Sequence, residues 1–292
     1  MFNLKFKNSG WYIFFFPLLL LMATWPGLAS AQAKEIKLAH EEIDGGMQDL
    51  YAKDFQKRLE ARIPGWKVQI YPVGVLGDAV DQAEQTMNGV IEMDITCSNI
   101  AVLIPMVRIF GLPFIWSADN EINSKIMASS PALYEILGQA CEKSGLKLLA
   151  VFPEGWQIWS SNIPLRTPAD FKNLRIRVMA DPLLVEVYKS YGANPQHVPY
   201  GEIYTGLQLK QIEANIQPYF AHEEMGFYEQ QKYLTNAFEI PFASVLVANL
   251  DWFNSLPEEQ RTVWLNASAF PRKKQVKARK KRADSGGFVL FL

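Results

Sequence analysis

The chain has 292 residues, 49% hydrophobic, 13% aromatic and 20% charged, with 2 cysteines, a globular composition that excludes a disordered chain, a collagen-like repeat and a disulfide-stapled scaffold. Its formal charge of -1 excludes a basic nucleic-acid coat, but that figure adds unlike pieces. Two of the 29 bases lie in 1–31 and eight in 271–292, where Asp284 is the one acid, so the body 32–270 carries 19 bases against 29 acids, a net -10.

Residues 1–31 open with Lys5 and Lys7, run through the apolar stretch from Trp11 to Met22, and reach Pro26, Gly27 and Ala29-Ser30-Ala31. This reads as a secretory signal peptide with two overlapping A-x-A sites. Pro17 interrupts the run and argues against an anchor helix, and no other stretch holds the ~20 apolar residues a span needs. The mature protein is expected to be exported to the periplasm, soluble. Export permits a disulfide between Cys97 and Cys141, while free buried cysteines act as small apolar residues; spacing does not choose between these.

Glu35 to Ala39 alternates as a strand does, and from Met47 to Leu59 the residues Leu50, Tyr51, Phe55 and Leu59 mark an amphipathic helix. Lys67 to Tyr71 predicts a strand, Val80 to Asn88 a helix and Ile91 to Thr96 a strand, so the order is β-α-β-α-β with a largely parallel sheet. Asp78 and Asp81 flank a helix start, where capping explains carboxylates.

A second set follows. Lys147 to Phe152 and Leu174 to Val178 predict strands, Thr167 to Asp170 caps a short helix, and Asp181 before Pro182 opens a helix to about Tyr191. Glu202 to Lys210 reads as a helix and Ser244 to Ala248 as a strand. Ser255 before Pro257 starts a last helix that should bury Val263, Trp264 and Leu265. The polar context Gly155-Trp-Gln-Ile-Trp-Ser-Ser161 reads as a loop crossing between lobes. Two α/β lobes joined by crossing strands leave a cleft, where small ligands bind.

Enzyme signals are poor. The chain has no H-E-x-x-H, G-x-S-x-G, G-x-x-x-x-G-K-[ST] or C-x-x-C. Of His40, His197 and His222, no pair sits at metal-ligand spacing, and His222-Glu223-Glu224 reads as a solvated turn. Neither a catalytic residue, a metal nor a cofactor is expected. The strand from Leu174 to Val178 places Arg175 and Arg177 on one face; an arginine there either grips a carboxylate through its planar fork or pairs with a neighbouring surface acid. Trp156, Trp159, Tyr200, Tyr204, Tyr219 and Phe220 crowd the second half, as core or as cleft wall.

The segments from Ile70 to Gly77, Met87 to Asp94, Gly111 to Trp116, Thr167 to Met179 and Pro199 to Gln208 resemble, in order, motifs of the DctP-type solute-binding proteins of tripartite ATP-independent periplasmic (TRAP) transporters. The likeness spans about Ile36 to Phe270. It implies a two-lobed periplasmic binding protein fold with crossing hinge strands, closing over an organic acid and delivering it to membrane permease subunits. By position, Arg177 matches the carboxylate-clamping arginine, Tyr200 a ligand-packing aromatic, and Gln217 an amide often held by Asn. His40 and Asn99 fall on loops facing the cleft, and Trp156, Met179 and Tyr219 join the expected substrate-binding set. Gln157 stands where many relatives carry a second ligand arginine, which disfavours a C4-dicarboxylate and favours a bulky or aromatic monocarboxylate such as an aromatic amino acid or its oxo acid.

The division expected is a signal at 1–31, lobe I at 32–152, lobe II at 153–243, a return strand and helix at 244–270, and a basic tail at 271–292 that reads as a truncated or frame-shifted end. The protein is expected to be monomeric, with no nucleic-acid partner. The rivals are an exported α/β enzyme acting on an organic acid, which needs an acid/base or metal centre, and a sensor subunit using the same cleft.

Overall fold

In a computed structural model, which describes residues 34–269, the patterned segments of the first half fold as their periodicities predict. The segments 1–31 and 271–292, read as signal and tail, lie outside the described residues. Strand β1 (Lys34–His40) buries Ile36 and Leu38 and exposes Lys37. Helix α1 (Met47–Glu60) buries Tyr51, Phe55 and Leu59 at four-residue spacing, while Leu50 is exposed on its outer face. Strands β2 (Trp66–Tyr71) and β3 (Met93–Thr96) flank β1, both parallel to it, with Leu38 opposite Ile70 and Met93. Helix α2 (Ala79–Met87) starts at a capping box: Asp78 accepts from the backbone of Val80 and Asp81, and Asp81 returns a bond to the Asp78 N–H.

Two helices follow, α3 (Asn120–Ser129) and α4 (Pro131–Lys143), capped by Asp119 and Ser130. Strand β4 (Leu146–Ser161) follows, and here the structure corrects the sequence reading. Residues 155–161 are not a loop but the second half of a sixteen-residue strand. Its first half pairs antiparallel with β9 (Pro241–Asn249), and its second half with β7 (Ala214–Pro218) and β8 (Tyr233–Thr235). The register slips between Pro153 and Gly155, where Gly155 takes φ +136°, a conformation that suits glycine and lets one strand bend between sheets.

Strand β5 (Arg175–Val178) lies parallel to β6 (Asn194–His197) and β7, completing the order β2-β1-β3-β9-β4-β7-β5-β6. Helices α5 (Pro182–Ser190), α6 (Ile203–Gln208) and α7 (Tyr219–Glu224) belong to the second lobe, α5 with Asp181 as N-cap as expected.

Ser255 ends α8 (Leu250–Ser255) instead of capping the next helix, α9 (Glu258–Ser268). On α9, Trp264 is fully buried, Val263 partly, and Leu265 is exposed, because three consecutive helical residues cannot share one face. Cys97 and Cys141 are free and buried in different clusters of the core. No helix among the described residues is long and apolar enough to cross a membrane.

Candidate functional site

Period two decides what β5 offers. Ile176 and Val178 enter the second-lobe core, which turns Arg177 to the opposite face, in register with Asn215 on β7 and Gln196 on β6. Arg175, two residues earlier, reaches solvent, 3.4 Å from Glu213 and donating to the Lys210 carbonyl. Arg177 is 2% exposed. Its Nε donates to the Val198 carbonyl at 2.9 Å, and Nη1 has no hydrogen-bond partner. Burial lowers its pKa to about 10, so it stays charged at neutral pH. A desolvated guanidinium with one bond is costly, and an arriving anion offsets that cost.

Arg177 lines a cavity of about 220 Å³, room for a small metabolite. Tyr200, Gln217, Asn99 and Met179 line it too. Tyr200 is half-buried with an unpartnered hydroxyl. Asn99 bonds both ways, donating to Glu41 Oε2 at 2.9 Å and accepting from the Ala180 N–H at 3.1 Å. The walls are apolar: Val73, Val80, Pro199, Phe220 and Phe242.

Four expected residues are not among those lining the cavity. His40 continues the even-numbered face of β1 beside Leu38 and is fully buried, its Nδ1 accepting from the Glu42 N–H and its Nε2 3.6 Å from Asp49; burial lowers its pKa to about 4. Gln157 pairs with Pro218 and shares the parity of Trp159, on the face opposite Ser160 and Asn215. Trp156 sets its ring edge-on to Phe238 at 5.5 Å. Tyr219 is half-buried at the start of α7, and its neighbour Phe220 takes the wall position. Trp159 packs on Phe171 and donates to Glu239 and Tyr188 inside the core.

Sequence reasoning missed the acids. Glu41 and Glu42 follow directly on β1 and line the cavity; the carboxyl ends of parallel strands are where α/β clefts lie, a signal that could have found them. Glu41 is saturated by the Thr96 hydroxyl, the Cys97 thiol at 2.9 Å and Asn99. Glu42 accepts the Gln48 N–H at 2.8 Å on one oxygen, and burial raises its pKa well above the usual carboxylate range. The cavity is thus lined both by a buried cation and by buried acids.

His222 is not in a solvated turn. It lies in α7, 2% exposed, its Nε2 3.4 Å from the Ile158 carbonyl, and burial lowers its pKa to about 4. Between pH 6.5 and 4 the unfolded chain binds a proton that the folded one refuses, so acidification through this window removes stability. Urea melts should show His222→Gln losing less than wild type between these pH values, by on the order of 3 kcal/mol. Among the described residues no group of three or more His, Cys, Asp and Glu side chains could hold a metal ion.

A family model, bacterial extracellular solute-binding protein, family 7 (DctP), matches residues 38–285. The ectoine-binding periplasmic protein TeaA of Halomonas elongata is 34% identical over 240 residues, 82% of this chain and 70% of TeaA. The ectoine/5-hydroxyectoine-binding periplasmic protein UehA of Ruegeria pomeroyi is 32% identical over the same shares. The solved structure of the periplasmic ectoine-binding protein from the TeaABC TRAP transporter of Halomonas elongata matches with a TM-score of 0.81 at 31% identity, over 87% of this chain and 84% of that one. The chain therefore belongs to the DctP family of bacterial extracellular solute-binding proteins, the two-lobed binding subunits of TRAP transporters, and is not an enzyme.

Proposed function

We propose that this protein captures a small zwitterionic organic acid in the periplasm, its carboxylate on Arg177 and its cationic nitrogen on Glu42, and delivers it to TRAP permease subunits. The observation that carries this reading is a buried guanidinium and a buried carboxyl lining one small cavity, Arg177 with an unpartnered Nη1 and Glu42 with an Oε1 that takes no donor. Ectoine, which joins a carboxylate to a cyclic amidinium, has this charge pattern, and it is the named ligand of TeaA and UehA. In this reading Tyr200 and Gln217 bond the ligand's polar edge, and Phe220 and Phe242 sandwich its ring.

The same charges narrow the monocarboxylate expected from sequence. An aromatic amino acid supplies both signs and is the second reading, favoured by the aromatic walls; its oxo acid lacks the cation. Gln157 is given no role in this reading, its side chain sharing the core-facing parity of Trp159. Isothermal titration of the purified protein with ectoine, 5-hydroxyectoine, phenylalanine, phenylpyruvate and succinate tests the proposal. Ectoine-type zwitterions should bind most tightly, and a preference for phenylpyruvate or succinate would sink it. Glu42→Gln should weaken ectoine binding by about tenfold or more, the effect of truncating one partner of a desolvated charge pair.

A further inference from the structure

Behind Glu42 stands a second acid that no sequence pattern marks. Glu154 sits on β4 between Pro153 and Gly155, at the register slip against β9, and is 4% exposed without lining the cavity. Its Oε1 accepts from the Ser244 hydroxyl and from Gln48 Nε2 at 3.4 Å. Gln48 also gives Nε2 to Ser244 Oγ at 3.0 Å and its N–H to Glu42 Oε2 at 2.8 Å. The two oxygens left over, Glu42 Oε1 and Glu154 Oε2, have no donor, and the two carboxyl groups lie close enough for each to shift the titration of the other.

Ionised carboxylates only accept, so two acids placed in this way can bond to each other only through a proton. Two like charges in contact in a buried site are strongly disfavoured, and such a pair titrates as a unit. The surroundings do not relieve the repulsion. Glu41, Glu224, Tyr200 and Cys97 stand near the pair and supply no positive charge, His40, which accepts from the Glu42 N–H, is held neutral by burial, and Arg177, a cation lining the same cavity, bonds to neither acid and gives its Nε to the Val198 carbonyl. Burial first, then the charge of Glu154, pushes the Glu42 carboxyl up, and burial raises Glu154 as well.

We infer that Glu154 is the proton partner of Glu42: one proton bridges the pair, held by Glu42 in the empty cleft and passed from Glu42 Oε1 to Glu154 Oε2 when a cationic nitrogen reaches Glu42. The pair then offers the ligand one negative charge, which a single amidinium or ammonium group neutralises with no buried remainder. Glu154 is a positioning residue in this scheme, and the ligand half of it rests on the zwitterion reading above. Acidification adds a second proton to the pair, leaves the ligand's cation unpaired, and so lowers affinity as pH falls.

Infrared spectra of the empty protein at neutral pH should show a protonated carboxyl stretch in wild type that is lost in Glu154→Gln, where an amide N–H bonds an ionised Glu42; identical spectra overturn the shared proton whatever the ligand. Titration of wild type with ectoine at pH 7 in two buffers of unlike ionisation enthalpy should find close to no proton exchanged. Release of about one proton overturns the transfer within the pair, and this measurement stands even where the variant does not fold. Glu154→Gln should bind ectoine at least as tightly as wild type, with its loss of affinity on acidification displaced to lower pH, whereas Glu42→Gln binds weakly throughout. A Glu154→Gln protein as weak as Glu42→Gln, or with an unmoved pH profile, overturns the assignment. Should no zwitterion bind wild type, the proposed ligand class fails, while the infrared comparison still decides whether the acids share a proton.

Discussion

Replacing Arg177 by alanine is expected to weaken ligand binding about 100-fold or more in calorimetry, the loss of a charge-assisted fork in a desolvated site. The side chain is 2% exposed and has a single hydrogen bond, to the Val198 carbonyl, so its capacity for an anion is unspent in the empty cleft. The same fact sets an expectation for stability that runs the other way. Arg177→Met keeps the aliphatic stem and removes a buried charge that makes no salt bridge among the described residues, so the empty variant should melt at or above the wild-type temperature. Ligand should raise the melting temperature of wild type and leave that of either variant unmoved. A variant that binds normally would remove Arg177 from the site; one that unfolds would show the guanidinium to be structural.

The largest stability effect is expected far from the cleft. Trp264 on α9 is fully buried, with ring centroids 5.1 Å from Trp252, 5.5 Å from Trp66 and 5.9 Å from Phe55. Trp264→Ala should cost about 3–5 kcal/mol by urea denaturation, a large share of the roughly 5–15 kcal/mol that holds a domain together. Aromatic rings packed edge to face lose both burial and their specific contacts on truncation. Tyr51 closes the same region by donating to the Ser268 carbonyl, so the end of α9 should fray in the variant. Affinity measured on the folded fraction should stay near wild type, because Trp264 belongs to a core cluster that shares no residue with the cavity lining. A cost below about 1 kcal/mol would mean that α9 contributes little to that core.

The first lobe was legible in the sequence because its elements are regular. Alternation gives β1 and β2, and four-residue spacing gives α1. Arg177 was legible for a related reason: two apolar neighbours, Ile176 and Val178, leave its side of the strand unclaimed by the core. The same parity sets His40 with Leu38 and Gln157 with Trp159, on the faces of their strands that the core claims. The long strand β4 was hidden by its own content. Glu154, Gln157, Ser160 and Ser161 are buried, and polar residues inside a strand erase the pattern by which a strand is recognised. Glu41 and Glu42 were hidden by a base rate, since adjacent acids after a strand usually face water. Only the meeting of 41–42 with Gln48, Glu154 and Ser244 shows them desolvated, and that meeting joins segments about a hundred residues apart in sequence.

The uninterrupted run of β4 from one sheet into the other has a mechanical consequence. With β9 paired to it along 146–156, a torsion or slide of one lobe against the other would tear a ladder of backbone bonds, whereas a bend at the slip beside Gly155 breaks few. Opening is therefore expected to run through that bend. Since Glu154 occupies that same bend, the compliance of the hinge and the electrostatics of the cleft are set at one point of the chain.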